Sequence, residues 1–166
     1  MIHILGEKSN SRLTNVQDGD SQPNAIDLRL GEIFTINYNN FEISEEYKVH
    51  RGTSKLPPDG YGYYHLNPGV YEVVMDNIVT IGPDEAGWVI TRSTLNRNGV
   101  FITSGLYDSG YNGVMAGALH VTGGPMKIKK GTRIAQFLLF KAESLTQYSG
   151  SYGLNSEHDK KYSKEK

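Results

Sequence analysis

The amino-acid sequence predicts an all-β fold, a jelly-roll β-barrel or sandwich that is followed by a mobile C-terminal arm. Two observations lead to this prediction. Glycine accounts for 19 of the 166 residues, whereas about 7% is usual. Short apolar segments also recur with turn residues roughly every 8–12 positions, which is typical of short strands. The length suits one domain of ordinary size.

The predicted strands are seven β-branched or alternating segments, each bounded by Gly, Pro, Asn or Ser. They are residues 33–36, 70–74, 77–81, 87–90, 100–103, 114–121 and 134–140. Gly31 is predicted as a turn before the first of them. Helix is expected only at 9–15, as the best candidate, and as one turn within 91–97.

The chain is expected to contain one jelly-roll domain, residues 1–147, and a flexible arm, residues 148–166. Within the domain, residues 38–64 are polar, rich in Tyr, and carry the turn signal Pro57-Pro58-Asp59-Gly60. We interpret them as an insertion or a pair of weak hairpins. The arm lacks apolar periodicity and ends in a charged run, a composition that favours mobility.

Composition excludes several function classes. The absence of Cys excludes a disulfide scaffold, Cys-based zinc sites and Cys nucleophiles. A net charge of −1, from 17 basic and 18 acidic residues, matches a nucleic-acid partner poorly. The longest apolar run is far shorter than the roughly 20 residues of a membrane helix. We therefore expect a cytoplasmic protein with neither nucleic acid nor membrane as a partner.

Two polar motifs adjoin the early strands. Residues 25–31, A-I-D-L-R-L-G, interleave Asp27 and Arg29 with aliphatic residues; alone, this is also typical of a half-buried strand with both charges facing solvent. Residues 92–97, R-S-T-L-N-R, combine hydroxyls with two arginines, a set that suits a phosphate anion. An ordinary helix cap by Ser93 or Thr94 is the alternative.

Two further motifs lie in the second half. Residues 105–113, G-L-Y-D-S-G-Y-N-G, predict a hairpin that offers backbone groups to a base edge and a ring to a sugar; a plain hairpin with an Asx-turn at Asp108 is the alternative. Residues 129–137, K-K-G-T-R-I-A-Q-F, lead from a turn into an apolar strand. Gln136 needs a partner if it is buried, or it faces water.

In order and spacing, these four motifs resemble those of the trimeric dUTPase and dCTP deaminase superfamily. A-I-D-L-R-L-G resembles the first motif in its deaminase-branch form, R-S-T-L the second, the Asp108 hairpin the third and K-G-T-R-I-A-Q-F the fourth. Y-S-G-S-Y-G at 148–153 resembles a degenerate fifth motif. The resemblance implies a jelly roll that assembles as a homotrimer with active sites shared between subunits. It leaves out residues 38–64.

The resemblance implies an enzyme that hydrolyses dUTP to dUMP and pyrophosphate with Mg²⁺. Asp108 would hold and activate the attacking water, and Tyr111 would pack beneath the deoxyribose. Gly105, Leu106 and Gly113 belong to the hairpin that would read uracil, while Tyr152 would stack over the base. The phosphate oxygens would be held by Arg92, Ser93, Thr94, Arg97 and Gln136. Asp27 would contact the metal through water.

Two departures from the family pattern bear on the activity. Deaminases carry a Glu ten residues beyond the hairpin Asp, where this chain has Ala118, and Tyr111 and Gly113 match the dUTPase form. The fifth motif lacks its usual Arg, which Lys160 or Lys161 would have to replace. Besides a dUTPase, the sequence therefore leaves open a dCTP deaminase or bifunctional enzyme and a non-catalytic nucleotide-binding regulator.

Overall fold

The structure, a computed structural model, describes residues 1–162. Within them the chain forms thirteen strands, one short helix, α1 (Ser93–Asn96), and a 3₁₀ turn (His158–Tyr162). The strands are β1 (Arg12–Leu13), β2 (Ile26–Ile36), β3 (Glu42–Ile43), β4 (Lys48–Val49), β5 (Thr53–Leu56), β6 (Tyr63–Leu66), β7 (Gly69–Thr80), β8 (Glu85–Thr91), β9 (Val100–Thr103), β10 (Leu106–Tyr107), β11 (Asn112–Val121), β12 (Met126–Lys129) and β13 (Arg133–Lys141). No helix in this part of the chain has both the length and the hydropathy to span a membrane.

The principal sheet curls into two layers because β2 belongs to both. Its first half pairs with β13, which continues to β8 and β10. Its second half pairs with β7, which continues to β11 and β9, and β5 adds to the other edge of this half. All of these pairings are antiparallel. The all-β jelly-roll class predicted from the sequence is thereby confirmed.

The crossover within β2 requires a glycine. The register between β2 and β7 shifts between Leu30 and Glu32, so Gly31 lies at a β-bulge. A Cβ at Gly31 would lie 2.8 Å from the carbonyl oxygen of Val74, too close for any other residue without displacing the backbone. The prediction of a turn at Gly31 is wrong: the chain continues as one strand through a bulge, which bends it.

Two other local predictions are also wrong. Residues 9–15 form no helix, because Ser9, Asn10 and Ser11 hydrogen-bond to the buried carboxylate of Glu85 and Asn15 has a positive φ of 54°. Residues 70–74 and 77–81 are not two strands. Residues 70–80 belong to the single long strand β7, which bulges opposite Met115 because its register with β11 shifts between Val114 and Ala116.

The hydrophobic core lies between the two layers. Alternate residues of β13 point inward, so that Phe137 and Leu139 are buried while Gln136 and Leu138 lie on the outer face. The largest fully buried side chains are Tyr64, Phe137, Ile26, Leu28, Leu30, Ile33, Leu66, Met75, Ile81, Met115, Leu119 and Ile134. Their close packing fixes the register of the strands that carry the polar motifs.

Residues 38–64 contain one small hairpin, β3 with β4, and two strands that pair elsewhere. β5 extends the second layer beside β2, and β6 pairs with β12 in a separate ribbon. The segment is therefore attached to the domain through main-chain pairing. The division into a 1–147 domain and a flexible arm remains a prediction.

We predict that Gly87→Ala destabilises the fold. A methyl group at Gly87 would overlap the buried ring of Phe137, at 2.1 Å from its nearest atom. Overpacking of this kind costs about 1–3 kcal/mol. Gly60→Ala is the matched control, because a Cβ there meets nothing within 4 Å. Denaturant unfolding of both variants measures the difference, and equal midpoints would contradict the packing described.

Candidate functional site

A buried carboxylate, Asp27, joins three of the polar motifs. Its side chain has no solvent exposure. The Gln136 amide donates to Oδ1 at 3.1 Å, Arg133 donates to Oδ2 at 3.2 Å, and Arg92 Nε lies 3.4 Å from Oδ1. A buried charge without such partners would be strongly unfavourable. The alternative in which Asp27 faces water is therefore wrong, whereas Gln136 lies half-buried on the outer face with its amide on Asp27.

Strand register brings these side chains together. Gln136 of β13 lies directly opposite Asp27 of β2, and Arg133 lies opposite Arg29. Arg92 follows β8 and remains in register with β13, because its backbone N–H donates to Ile134. We call Asp27, Arg92, Arg133 and Gln136 the arginine cluster. It contains two guanidinium groups and one carboxylate, so its net charge is positive.

A second ion pair holds β2, the strand that carries Asp27. Arg29 donates from Nε and Nη2 to both oxygens of the buried Asp20, at 3.0 and 2.6 Å. Burial raises the pKa of Asp20, but the hydrogen bonds from Arg29 and from the Gln17 backbone outweigh it and hold this pKa below its ordinary value. The pair is neutral overall, so it orients β2 without reducing the positive charge of the arginine cluster.

The second motif presents its hydroxyls to solvent. Ser93 and Thr94 begin α1 and are exposed, and the helix has Arg92 as its N-cap with no side-chain capping bond. The alternative in which Ser93 or Thr94 caps the helix is therefore wrong. Arg97 lies at the other end of α1 and is also exposed. The two hydroxyls and Arg92 are adjacent in the chain and available to an anion.

The third motif forms the predicted hairpin. The Tyr111 backbone N–H donates to the main-chain oxygen of Asp108 at 3.0 Å, and Gly110 has a φ of 84°. The turn is closed by backbone atoms, so the Asx-turn alternative is wrong. The Asp108 carboxylate is exposed and has no hydrogen-bond partner within residues 1–162. It is therefore free to accept a hydrogen bond from a ligand or a water.

An aromatic cavity lies beneath this hairpin. It has a volume of about 220 Å³ and is lined by Tyr107, Tyr111 and Tyr148 together with Gly105 and Leu106. The Tyr111 hydroxyl donates to the Val114 carbonyl oxygen at 2.7 Å, and burial raises its pKa, so the phenol remains a donor. Its ring is packed edge-on between those of Tyr107 and Tyr148.

Gly113 is required at the cavity wall. A Cβ at this position would lie 2.6 Å from the Tyr111 hydroxyl and 2.9 Å from the Gly153 Cα atom. The arm approaches the hairpin here, and the Leu154 backbone N–H donates to the Asn112 carbonyl oxygen at 3.0 Å. Tyr152 lies on the cavity rim, half-exposed, with its ring edge-on to His158.

Sequence reasoning missed several residues of the site. Arg133 lies three positions before Gln136, an odd spacing that points to opposite faces of a regular strand, and only the irregular register between Arg133 and Ala135 lets both reach Asp27. The arm residues His158, Asp159 and Tyr162 line the cavity, although their charged surroundings in the sequence indicate a solvated tail. Tyr148 lines it as well, and only its place in the degenerate fifth motif pointed to it.

The arginine cluster and the Asp108 hairpin lie at opposite ends of β8. Tyr107 pairs with Gly87, and Arg92 follows five residues later. At about 3.3 Å per residue, this separation is roughly 16 Å along the strand. Asp108 and the arginine cluster are therefore well separated along the strand within one chain.

The described residues provide few side-chain ligands for a metal ion. Residues 1–162 contain no group of three or more His, Cys, Asp or Glu side chains arranged to hold one. Both oxygens of Asp27 already accept from cationic or amide donors. The arginine cluster therefore suits an anion, and these residues do not form a magnesium site of their own.

Comparison with known proteins identifies relatives along most of the chain. A protein of Methanosarcina barkeri named probable deoxyuridine 5'-triphosphate nucleotidohydrolase is 35% identical over 160 residues, which cover 91% of this chain and 92% of the relative. One of Methanococcoides burtonii with the same name is 34% identical over 142 residues, covering 81% and 82%.

Solved structures share the fold at low identity. A 2'-deoxycytidine 5'-triphosphate deaminase from Agrobacterium tumefaciens superimposes with a TM-score of 0.61 at 18% identity, covering 78% of this chain but only 43% of the deaminase. The dUTPase of the Staphylococcus aureus phage phi11 gives 0.51 at 12% identity, covering 87% and 98%. The model of the dCTP deaminase-like family matches residues 2–142. The chain therefore belongs to the dCTP deaminase-like family, within the dUTPase and dCTP deaminase superfamily.

Proposed function

We propose that the chain is a dUTP diphosphatase, which hydrolyses dUTP to dUMP and pyrophosphate in a homotrimer. This proposal rests on one observation, the presence of two incomplete sites in the same fold. A free carboxylate, Asp108, directly follows Tyr107 of the aromatic cavity in the chain, and a positively charged cluster lies toward the other end of β8. The archaeal relatives named probable deoxyuridine 5'-triphosphate nucleotidohydrolase support the choice of substrate.

The arginine cluster supports a triphosphate-binding role. An arginine has five N–H donors, and Arg92 and Arg133 use only part of theirs on Asp27 and nearby carbonyl oxygens. The remaining donors, with the Ser93 and Thr94 hydroxyls, would bind phosphate oxygens through charge-assisted hydrogen bonds. Gln136 would orient the cluster through Asp27, and Arg97 would bind the end of the triphosphate.

The hairpin supports a deoxynucleoside-binding role. Its main chain from Gly105 to Gly113 would read the uracil edge, and the Tyr111 ring would lie against the deoxyribose and exclude a 2'-hydroxyl. Tyr152 would stack over the base from the rim of the cavity. A cavity lined by aromatic rings with few polar groups is typical of a small-molecule site.

Asp108 would act as the general base. Its carboxylate takes a proton from a bound water as the water oxygen attacks the α-phosphorus, and the bond to the bridging oxygen breaks on the opposite side. Pyrophosphate leaves with the electron pair of that bond. Mg²⁺ would bind together with the triphosphate and would keep most of its own water ligands, as this ion prefers. The predicted contact of Asp27 with the metal through water would require one of its present donors, Arg92, Arg133 or Gln136, to move away.

An exposed apolar face supports assembly. Trp88, Leu106 and Leu138 lie side by side across three neighbouring strands, because Trp88 pairs with both of the others. Trp88 is 48% and Leu106 59% exposed, which is unusual for neighbouring large side chains. Gln136 lies on the same face of β13, so a second copy packed here would reach the arginine cluster.

A deaminase is the second candidate, because the family model is described as dCTP deaminase-like. Deamination at this hairpin would need a proton shuttle on the following strand. β11 runs from Asn112 to Val121 and carries no carboxylate, and Ala118 occupies the expected position. This favours hydrolysis of the phosphoanhydride bond over deamination. A regulator that binds dUTP without turnover would be distinguished by the absence of pyrophosphate release.

We predict that Asp108→Asn abolishes pyrophosphate release from dUTP. Loss of a general base lowers kcat by about 100-fold or more. The unfolding midpoint is expected to be unchanged, because the carboxylate is exposed and without a partner. Asp18→Asn, another exposed aspartate, is the control and should retain activity. A fully active Asp108→Asn variant would contradict the proposed mechanism.

We predict that Arg92→Gln raises KM for dUTP. A lost charge-assisted hydrogen bond costs about 1.5–3 kcal/mol, which corresponds to a KM roughly 10- to 150-fold higher. Steady-state kinetics with pyrophosphate detection measures the effect, and Arg12→Gln is the control on the exposed strand β1. An unchanged KM would exclude Arg92 from the phosphate site.

A further inference from the structure

The position of Asp108 is set by its backbone. Its carboxylate is exposed and has no hydrogen-bond partner within residues 1–162, so no contact of its own holds the side chain in place. The residue begins the turn that the Tyr111 backbone N–H closes at 3.0 Å. A general base must lie within hydrogen-bond reach of the proton that it takes. Whatever fixes this turn therefore fixes the base.

The next residue, Ser109, holds the turn against the loop between β7 and β8. Its side chain is only 3% exposed, and its hydroxyl donates to the Gly82 carbonyl oxygen at 3.0 Å. The Gln147 amide donates to the same hydroxyl at 3.4 Å. The Tyr148 backbone N–H donates to the Ser109 carbonyl oxygen at 2.7 Å. The Ser109 hydroxyl is therefore both donor and acceptor in a place that water barely reaches.

Two backbone hydrogen bonds join the same turn and loop. The Gly110 N–H donates to the Ile81 carbonyl oxygen at 3.1 Å, and the Ile81 N–H donates to the Tyr111 carbonyl oxygen at 2.8 Å. The turn and the loop consequently form one unit. The position of that unit in the fold depends on what holds the loop from its other side.

A buried carboxylate, Glu85, holds the loop from that side. The Gly82 backbone N–H donates to the Ser11 hydroxyl at 2.9 Å, and this hydroxyl donates to Glu85. Glu85 has no solvent exposure, and Lys141 Nζ lies 2.7 Å from its Oε1. A Cβ at Gly82 would lie 2.5 Å from that of Asn10. The loop therefore packs directly on the segment that carries Ser11.

We propose that Ser109 is a positioning residue for Asp108, and that Ser11, held by Glu85, supports it through the Gly82 loop. Hydrogen bonds continue from Glu85 to Ser109, and the members of such a chain strengthen one another in a protein interior. Without the Ser109 hydroxyl, the buried Gly82 carbonyl would lose its partner, which is unfavourable. The turn and loop would separate, and Asp108 would move.

This inference rests on the proposed function, because it concerns the base of that reaction. It is tested by steady-state kinetics with dUTP, at a temperature well below the unfolding midpoint of every variant. We expect Ser109→Ala to lower kcat about 10- to 100-fold, the cost of a base displaced by about 1 Å. KM should change much less than kcat, because the Tyr111 ring is held separately by its bond to Val114 and by neighbouring rings.

A double-mutant cycle tests the chain of hydrogen bonds. Ser11→Ala should also lower kcat, although Ser11 lies outside the hairpin, and it decides the question if Ser109→Ala does not fold. The double variant should be no slower than Ser109→Ala alone, because residues that act through one chain are not additive.

Two controls separate positioning from stability. Leu66→Ala opens a cavity in the core at β6, so it should lower the unfolding midpoint while kcat is retained. Ser54→Ala removes an exposed hydroxyl from β5, where it contacts Asn37, and should leave both quantities unchanged.

An unchanged kcat in Ser109→Ala or in Ser11→Ala would overturn the inference. So would an additive double variant, or a Leu66→Ala variant that loses kcat to the same extent as Ser109→Ala. A wild-type protein that releases no pyrophosphate from dUTP is a different result: it would overturn the proposed function, and with it the base that Ser109 positions.

Discussion

The buried carboxylate of Asp27 is the interaction on which the candidate site depends. It lies where β2, β8 and β13 meet, and its oxygens hold Arg92, Arg133 and Gln136 in one place. Removing one of these donors would leave the buried carboxylate less well compensated, which is destabilising. The interaction is therefore structural, and it also leaves a fixed, positively charged surface on which a polyphosphate can bind without further ordering of side chains.

The length of β8 imposes a second constraint. The free carboxylate of Asp108 and the arginine cluster lie near opposite ends of this strand. The exposed apolar face around Trp88 lies between them. Together, these features explain how a chain of 166 residues could provide both a general base and a triphosphate-binding cluster. Each copy would supply half of a site, and packing of the copies would complete it.

The sequence predicted the fold class and the motifs better than it predicted their contacts. Strand patterning and turn residues were enough for an all-β fold, and motif order was enough for the family. The pairing of Asp27 with Gln136 depends on the register between β2 and β13, which shifts between Arg133 and Ala135, and no local pattern encodes this. Docking of Tyr162, whose ring is buried against the second layer, was missed because a lone aromatic in a charged tail has no periodicity. Its socket forms only when β2, β7 and β11 come together.

Complementation between two variants, each impaired in one half of the proposed site, tests the shared site most directly. Asp108→Asn and Arg92→Gln would be co-expressed in equal amounts, purified together and assayed at dUTP concentrations well below the KM of the arginine variant. If each site takes its hairpin and its arginine cluster from different copies, random mixing restores about a quarter of the wild-type activity. Activity that stays at the level of the separate variants would mean that each site is built within one chain, which contradicts a site shared between copies.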